Sequence, residues 1–225
     1  MADPKSRSGQ SNYWTPAVGE YLDGLYIQED EGMRDAVASI ERAGMPPVQL
    51  SKSDGRILEV VLRAAGARKV VELGTLAGYS AQWIARAIGP EGHLWTIEAS
   101  PKHAEVSRGV LERAGLGARV TVLLGPGMEV LPTIEREGPF DAVFIDANKD
   151  DYPRYVEWAT RTLRPGGLVI GDNTYLFGRL AGVEPESAEQ AGTIEAMRRF
   201  HELVARDYHA VTLPTPDGLT VGVKR

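Results

Sequence analysis

The chain has 225 residues, 43% of them hydrophobic, and a formal charge of −6. That suits one α/β domain with a substantial core and argues against a nucleic-acid surface, since phosphate binding needs clustered Lys and Arg. The absence of cysteine excludes a disulfide scaffold, a thiolate metal site and a cysteine nucleophile, and it fits a reducing compartment.

The opening "MADPKSRSGQSN" lacks the apolar stretch of a secretory signal and reads as a flexible polar tail over residues 1–12. No apolar run approaches the roughly 18 residues of a membrane span, so the expectation is a cytoplasmic protein without membrane partners. Residues 13–225 read as a single domain, with a helical part over 13–68 and a core over 69–225. In the helical part apolar residues recur at helical spacing: Val18, Leu22, Leu25, then Met33, Val37 and Ile40. The two prolines of "GMPPVQLS" (44–51) interrupt that pattern and predict a loop that could cover a site. "SDGRILEVVLRAAGA" then resumes a helix, with Ser53 or Asp54 as its expected cap.

From residue 69 short β-rich runs alternate with helical stretches. "KVVELG", "HLWTIEAS", "RVTVLLG", "FDAVFIDA" and "GGLVIGDN" predict strands, while "YSAQWIARAIG" and "SPKHAEVSRGVLERAG" predict helices between them. Continuous apolar strands separated by helices imply a doubly wound parallel sheet covered on both faces. The end departs from that rhythm. A helix near "AGTIEAMRRFHELVARD" leads to "YHAVTLPTPDGLTVGVKR", two β-rich runs around a Pro-Asp-Gly turn, which implies a last strand running antiparallel. "AGVEPESAEQAG" reads as a surface insertion.

Chemistry gathers at the strand ends. "VVELGTLAGYS" (70–80) puts Glu72, Gly74, Gly78 and Ser80 at a strand-to-helix turn, where glycine lets a ligand approach the backbone. The spacing is not the G-x-G-x-x-G of dinucleotide binders. Glu98 ends the second strand, where an acid can accept hydrogen bonds from both ribose hydroxyls of a nucleoside. That pairing fits NAD as well as S-adenosylmethionine.

Asp146 follows "AVFI", and Asp172 with Asn173 follows "LVIG". In open parallel sheets ligands bind beyond the carboxyl ends of the strands, so these residues belong on the rim that carries Gly74 and Glu98. If their strands are neighbours, both carboxylates reach one cation, and three hard oxygen donors suit Mg²⁺. Lys149, beside that cation, would be pushed toward its neutral form and become a credible general base. Each of these residues alone could equally be a helix cap, a turn or a solvated charge. The four histidines, His93, His103, His201 and His209, have no metal-ligand spacing and read as solvated surface residues.

Taken together, "VVELGTLAGYSA", "TIEASP", "FIDANKDDY" and "GGLVIGDN" resemble the cation-dependent, S-adenosylmethionine-dependent O-methyltransferases of catechol and caffeoyl-CoA type, from about residue 45 to the C-terminus. The resemblance implies a seven-stranded methyltransferase sheet with an antiparallel last strand, a helical N-terminal extension and a homodimer. It also implies that Glu72, Gly74, Thr75, Tyr79 and Ser80 surround the methionine part of the cofactor. Glu98 would hold the ribose, Gly127 and Met128 would lie beside the adenine, and Leu50 and Ser51 would close over the cofactor. Asp146, Asp172 and Asn173 match the metal ligands, Asp146 also facing the cofactor, and Lys149 matches the catalytic base. The substrate so implied is a vicinal dihydroxy aromatic, one hydroxyl of which is methylated.

Asn148 stands where the catechol enzymes proper carry an aromatic or apolar gatekeeper, which weakens the case for a simple catechol. Tyr175, Leu176 and Phe177 could wall an aromatic ring or serve as core or dimer contacts. The competing readings are a metal-independent methyltransferase, a nicotinamide-dependent oxidoreductase and a non-catalytic module that binds the cofactor.

Overall fold

The computed structural model describes residues 15–225; the tail expected over 1–12 lies outside them. Five apolar runs form parallel strands: β1 (Lys69–Leu73), β2 (His93–Glu98), β3 (Val120–Leu124), β4 (Phe140–Ile145) and β5 (Leu163–Gly171). Successive side chains of a strand leave opposite faces of the sheet. Here both faces are covered. Val70, Phe144 and Ile170 enter one core while their neighbours Val71, Val143 and Val169 enter the other. Burial on both sides explains why these strands read as continuous apolar runs and not as alternating ones.

The terminal runs form β6 (Tyr208–Leu213) and β7 (Leu219–Lys224), completing a seven-stranded sheet in the order β3-β2-β1-β4-β5-β7-β6. The last strand, β7, inserts between β5 and β6 and is antiparallel to both. The expected doubly wound sheet with an antiparallel last strand is therefore present.

The lead-in is two helices, α1 (Pro16–Tyr26) and α2 (Glu31–Arg42). The Asp30 side chain accepts from the backbone N–H of Met33 and caps α2, which buries Met33, Ala36 and Ile40. By contrast α1 buries nothing: Val18, Leu22 and Leu25 stay exposed. Helical spacing marks an apolar face without saying what covers it.

After the proline loop comes α3 (Lys52–Ala64), whose cap is Ser51 and neither Ser53 nor Asp54. Ser51 has the extended backbone a cap requires, and its Oγ accepts from the Asp54 N–H at 3.1 Å; the two expected caps lie inside the first turn. With α4 (Tyr79–Ile88) and α5 (Pro101–Arg113), α3 covers one face of the sheet. A short helix, α6 (Gly127–Val130), follows β3. The other face is covered by α7 (Tyr152–Thr162) and α8 (Ala188–Asp207). Because α8 begins at Ala188, capped by Ser187, the second half of the expected surface insertion is helical.

Candidate active site

Apart from the proline loop between α2 and α3, the site is built at the carboxyl ends of the parallel strands. The loop after β1 departs at Gly74, whose φ of +94° and whose approach to Asp146, where a Cβ would overlap the carbonyl oxygen, admit glycine alone. Hydrogen bonds carry the sheet one step beyond its strands: Gly74 N–H donates to Ile97 O at 2.9 Å, Asp146 N–H to Leu73 O at 2.8 Å and Asp172 N–H to Ile145 O at 3.0 Å. Gly74, Asp146 and Asp172 are thus tied by backbone hydrogen bonds to the neighbouring strands.

Glu98 organises the loop. Its Oε2 accepts the backbone N–H groups of Thr75 (3.1 Å) and Leu76 (2.9 Å), and its Oε1 accepts that of Ser100 (2.9 Å). Thr75 Oγ1 is hydrogen-bonded to Thr96 Oγ1 at 2.5 Å. Beneath the loop Glu72 is wholly buried, and neither of its oxygens has a hydrogen-bond partner within range. Burial pushes its carboxyl up to about 8; the nearby hydroxyls of Ser80 and Thr96 oppose this only in part, and the charges of Asp146 and Glu98 add to it.

The two acids stand on adjacent parallel strands, with Ile145 of β4 in register with Gly171 of β5. Asp172 is buried, with its Oδ1 lacking any partner. Burial first, and then the charge of Asp146, push its carboxyl up to about 7. Asn173 follows in the left-handed region at φ 52°, a backbone conformation asparagine tolerates better than most residues. Lys149 Nζ lies 3.2 Å from Asp146 Oδ1 and 2.6 Å from the Tyr152 hydroxyl. Burial, with Asp146 and Asp172 adding, holds the Tyr152 hydroxyl well above its ordinary range, so it remains a phenol.

A divalent cation fits this donor set. Two mutually repelling carboxylates, one with an orphaned buried oxygen, gain from a positive charge between them, and Asn173 adds a neutral oxygen. Among the described residues no group of three or more His, Asp or Glu side chains is placed to hold a metal; the set here is two acids and an amide.

A cavity of about 450 Å³ opens over this rim, within the range of small-molecule sites. Its wall includes Leu50, Gly74, Thr75, Tyr79, Ser80, Glu98, Gly127, Asp146, Lys149 and Asn173. Pro46, Val48 and Gln49 of the proline loop line it too, so that loop does border the site. Ser51, Glu72, Met128 and Asp172 do not line it. Ser51 caps α3, Glu72 lies under the glycine loop, Met128 packs on the second core and Asp172 is buried next to Asn173.

His103, Asp151 and Tyr155 also line the cavity, and sequence reasoning missed them. His103, expected to be a solvated surface residue, instead has its Nδ1 3.6 Å from Glu98 Oε1; it stands in the first turn of α5, directly after β2. Tyr155 falls one helical turn after Tyr152, a spacing that shares a face. The apolar trio divides: Leu176 is buried in the second core, Phe177 is 62% exposed, and none of Tyr175, Leu176 and Phe177 lines the cavity.

A sequence profile of the O-methyltransferase family matches residues 26–225. A catechol O-methyltransferase of Mycobacterium tuberculosis is 40% identical over 183 residues, 81% of each chain. Another, of Niastella koreensis, is 38% identical over 190 residues, 84% of each chain. Among solved structures, the O-methyltransferase TomG of Streptomyces achromogenes, involved in tomaymycin synthesis and bound to S-adenosylmethionine, superposes with a TM-score of 0.85 at 34% identity over 96% of this chain and 98% of its own.

Proposed function

The chain belongs to the O-methyltransferase family and is an S-adenosylmethionine-dependent enzyme, and we propose that it methylates one hydroxyl of a vicinal dihydroxy aromatic with the help of a divalent cation, Mg²⁺. The observation that carries this reading is the meeting of Lys149, Asp146 and Asn173 in one cavity with the glycine loop, backed by Asp172. Asp146, Asp172 and Asn173 would hold the cation, which when bound supplies Lewis acidity that lowers the pKa of a phenol. Lys149 takes the phenol proton. The new O–CH₃ bond forms as the S–CH₃ bond breaks, and S-adenosylhomocysteine leaves.

Leu50, Thr75, Tyr79, Ser80, Glu98 and Gly127 surround the cofactor in this proposal, and Ser51, Glu72 and Met128 support them from outside the cavity wall. Most of the protein's contribution is orientation of oxygen, methyl carbon and sulfur in line, which can lower a barrier by several kcal/mol. Residues 13–225 act as one domain, and a cytoplasmic location suits a chain without cysteine.

The protein works as a homodimer in this reading. Its support is the uncovered face of α1, where Tyr21, Leu25 and Tyr26 are 68%, 54% and 67% exposed. A monomer mass by light scattering would refute the dimer.

The reaction is tested by incubating the protein with S-adenosylmethionine and a panel of catechols, with Mg²⁺ and with EDTA, and following S-adenosylhomocysteine. Turnover of the diols that EDTA abolishes is the expected result. Equal turnover in EDTA would remove the cation from the reaction and leave a metal-independent methyltransferase.

A further inference from the structure

One buried hydroxyl beside the acid pair takes no part in the chemistry proposed so far. Tyr152 opens α7 with its side chain fully buried and its ring edge-on to Phe200 of α8, the centroids 5.3 Å apart. Its hydroxyl lies 3.0 Å from Ile145 O, 2.9 Å from Asp172 O and 2.6 Å from Lys149 Nζ.

The three contacts fix who donates to whom. The two carbonyl oxygens can only accept, and the phenol has a single proton, so that proton is committed to them. Toward Lys149 the phenol oxygen is therefore the acceptor and the amine the donor. Asp146 Oδ1, at 3.2 Å, takes a second N–H. One position of Nζ is left, the lone pair of the neutral amine, and Lys149 lines the cavity. A lysine side chain has four rotatable bonds, and an amine not held in this way would lose its aim.

We infer that Tyr152 is a positioning residue for methyl transfer, its hydroxyl tying the Lys149 amine to the ends of β4 and β5 so that a free position of the nitrogen faces the phenol of the substrate. This rests on Lys149 as the proton acceptor of the reading above. Ile145 O also accepts the Asp172 N–H, so the same hydroxyl joins the strand ends that carry Asp146 and Asp172. Its aim and theirs are set together.

The test is Tyr152→Phe, which keeps the ring against Phe200 and removes only the hydroxyl. With catechol, kcat falls about tenfold to a hundredfold, the scale of a misplacement near 1 Å, while the calorimetric Kd for S-adenosylmethionine stays within about twofold. In a Lys149→Ala background the same substitution costs nothing further, because the amine it positions is gone. A crystal structure of Tyr152→Phe shows Nζ displaced from Asp146. Losses that multiply in the double variant, or lost cofactor binding, would mean a merely structural role and overturn the inference. So would an Nζ that keeps its place. Wild-type turnover by Lys149→Ala would instead defeat the reading of Lys149, while the position of Nζ in Tyr152→Phe still decides whether the hydroxyl holds the amine.

Discussion

Oε2 of Glu98 accepts the backbone N–H of Leu76 at 2.9 Å, across the gap between β2 and the loop that leaves β1. Leu76 has φ 49°, a left-handed backbone that a leucine rarely adopts. The carboxylate offsets that strain by taking two loop N–H groups at once.

Glu98→Ala is therefore expected to loosen the loop as well as remove the acid proposed to hold the ribose. Losing charged acceptors for buried donors costs ~1–3 kcal/mol, visible as a lower melting temperature. Affinity for S-adenosylmethionine should fall at least about tenfold, the equivalent of roughly 1.4 kcal/mol. A variant that melts lower yet binds the cofactor as tightly as wild type would confine Glu98 to the loop.

Glu72 makes stability depend on pH. Burial raises its carboxyl from 4.5 to about 8; an acid raised in the folded state contributes stability that is whole below 4.5 and is lost as pH climbs through 8. Across that window the cofactor-free protein should lose up to about 1.4 kcal/mol per pH unit from this group. Glu72→Gln, which cannot ionise, should make the melting profile less steep between those limits, leaving the part due to Asp172, whose carboxyl is raised to about 7, and should melt higher at pH 8. An unchanged slope would show that Glu72 is not the group responsible.

The strand ends were the most legible part of the chain. Apolar runs stopping on Glu98, Asp146 and Asp172 placed those residues on one rim because a doubly wound sheet turns every parallel strand end the same way. Three things escaped. The cap of α3 depends on a local backbone angle at Ser51, which composition alone does not separate from Ser53 two residues on. The exposure of α1 is invisible to periodicity. The roles of Tyr152, Tyr155 and His103 arise where the first turns of α7 and α5 fold back over the strand ends, a tertiary relation with no spacing of its own in the sequence.

Ser51, expected to close over the cofactor, caps α3 in the structure. Its Oγ accepts from the Asp54 N–H and donates to Asp54 Oδ2 at 2.7 Å, and its side chain does not line the cavity. Ser51→Ala is expected to cost roughly 0.5–2 kcal/mol, as lost helix caps do. Its effect on cofactor affinity should stay within about threefold, or roughly 0.6 kcal/mol. A tenfold weaker Kd by calorimetry would instead give the hydroxyl a direct part in holding the cofactor.

Asp172→Ala tests the cation in a way that activity alone does not. In metal-free buffer the Asp172 carboxylate is buried, has an orphaned oxygen and faces the charge of Asp146. Removing it relieves repulsion and an unmet desolvation cost, at the expense of a small void, so the two changes oppose each other. The melting temperature without metal should move little, whereas an ordinary structural ion pair would lose several kcal/mol on losing a partner. Added Mn²⁺, followed by its paramagnetic resonance signal, should bind wild type and not the variant, and turnover of catechols should fall about a hundredfold or more, as expected on losing a group that stabilises charge in the transition state. A variant that still binds Mn²⁺ with wild-type affinity would move the cation away from Asp172 and remove the reason its carboxylate is buried beside Asp146.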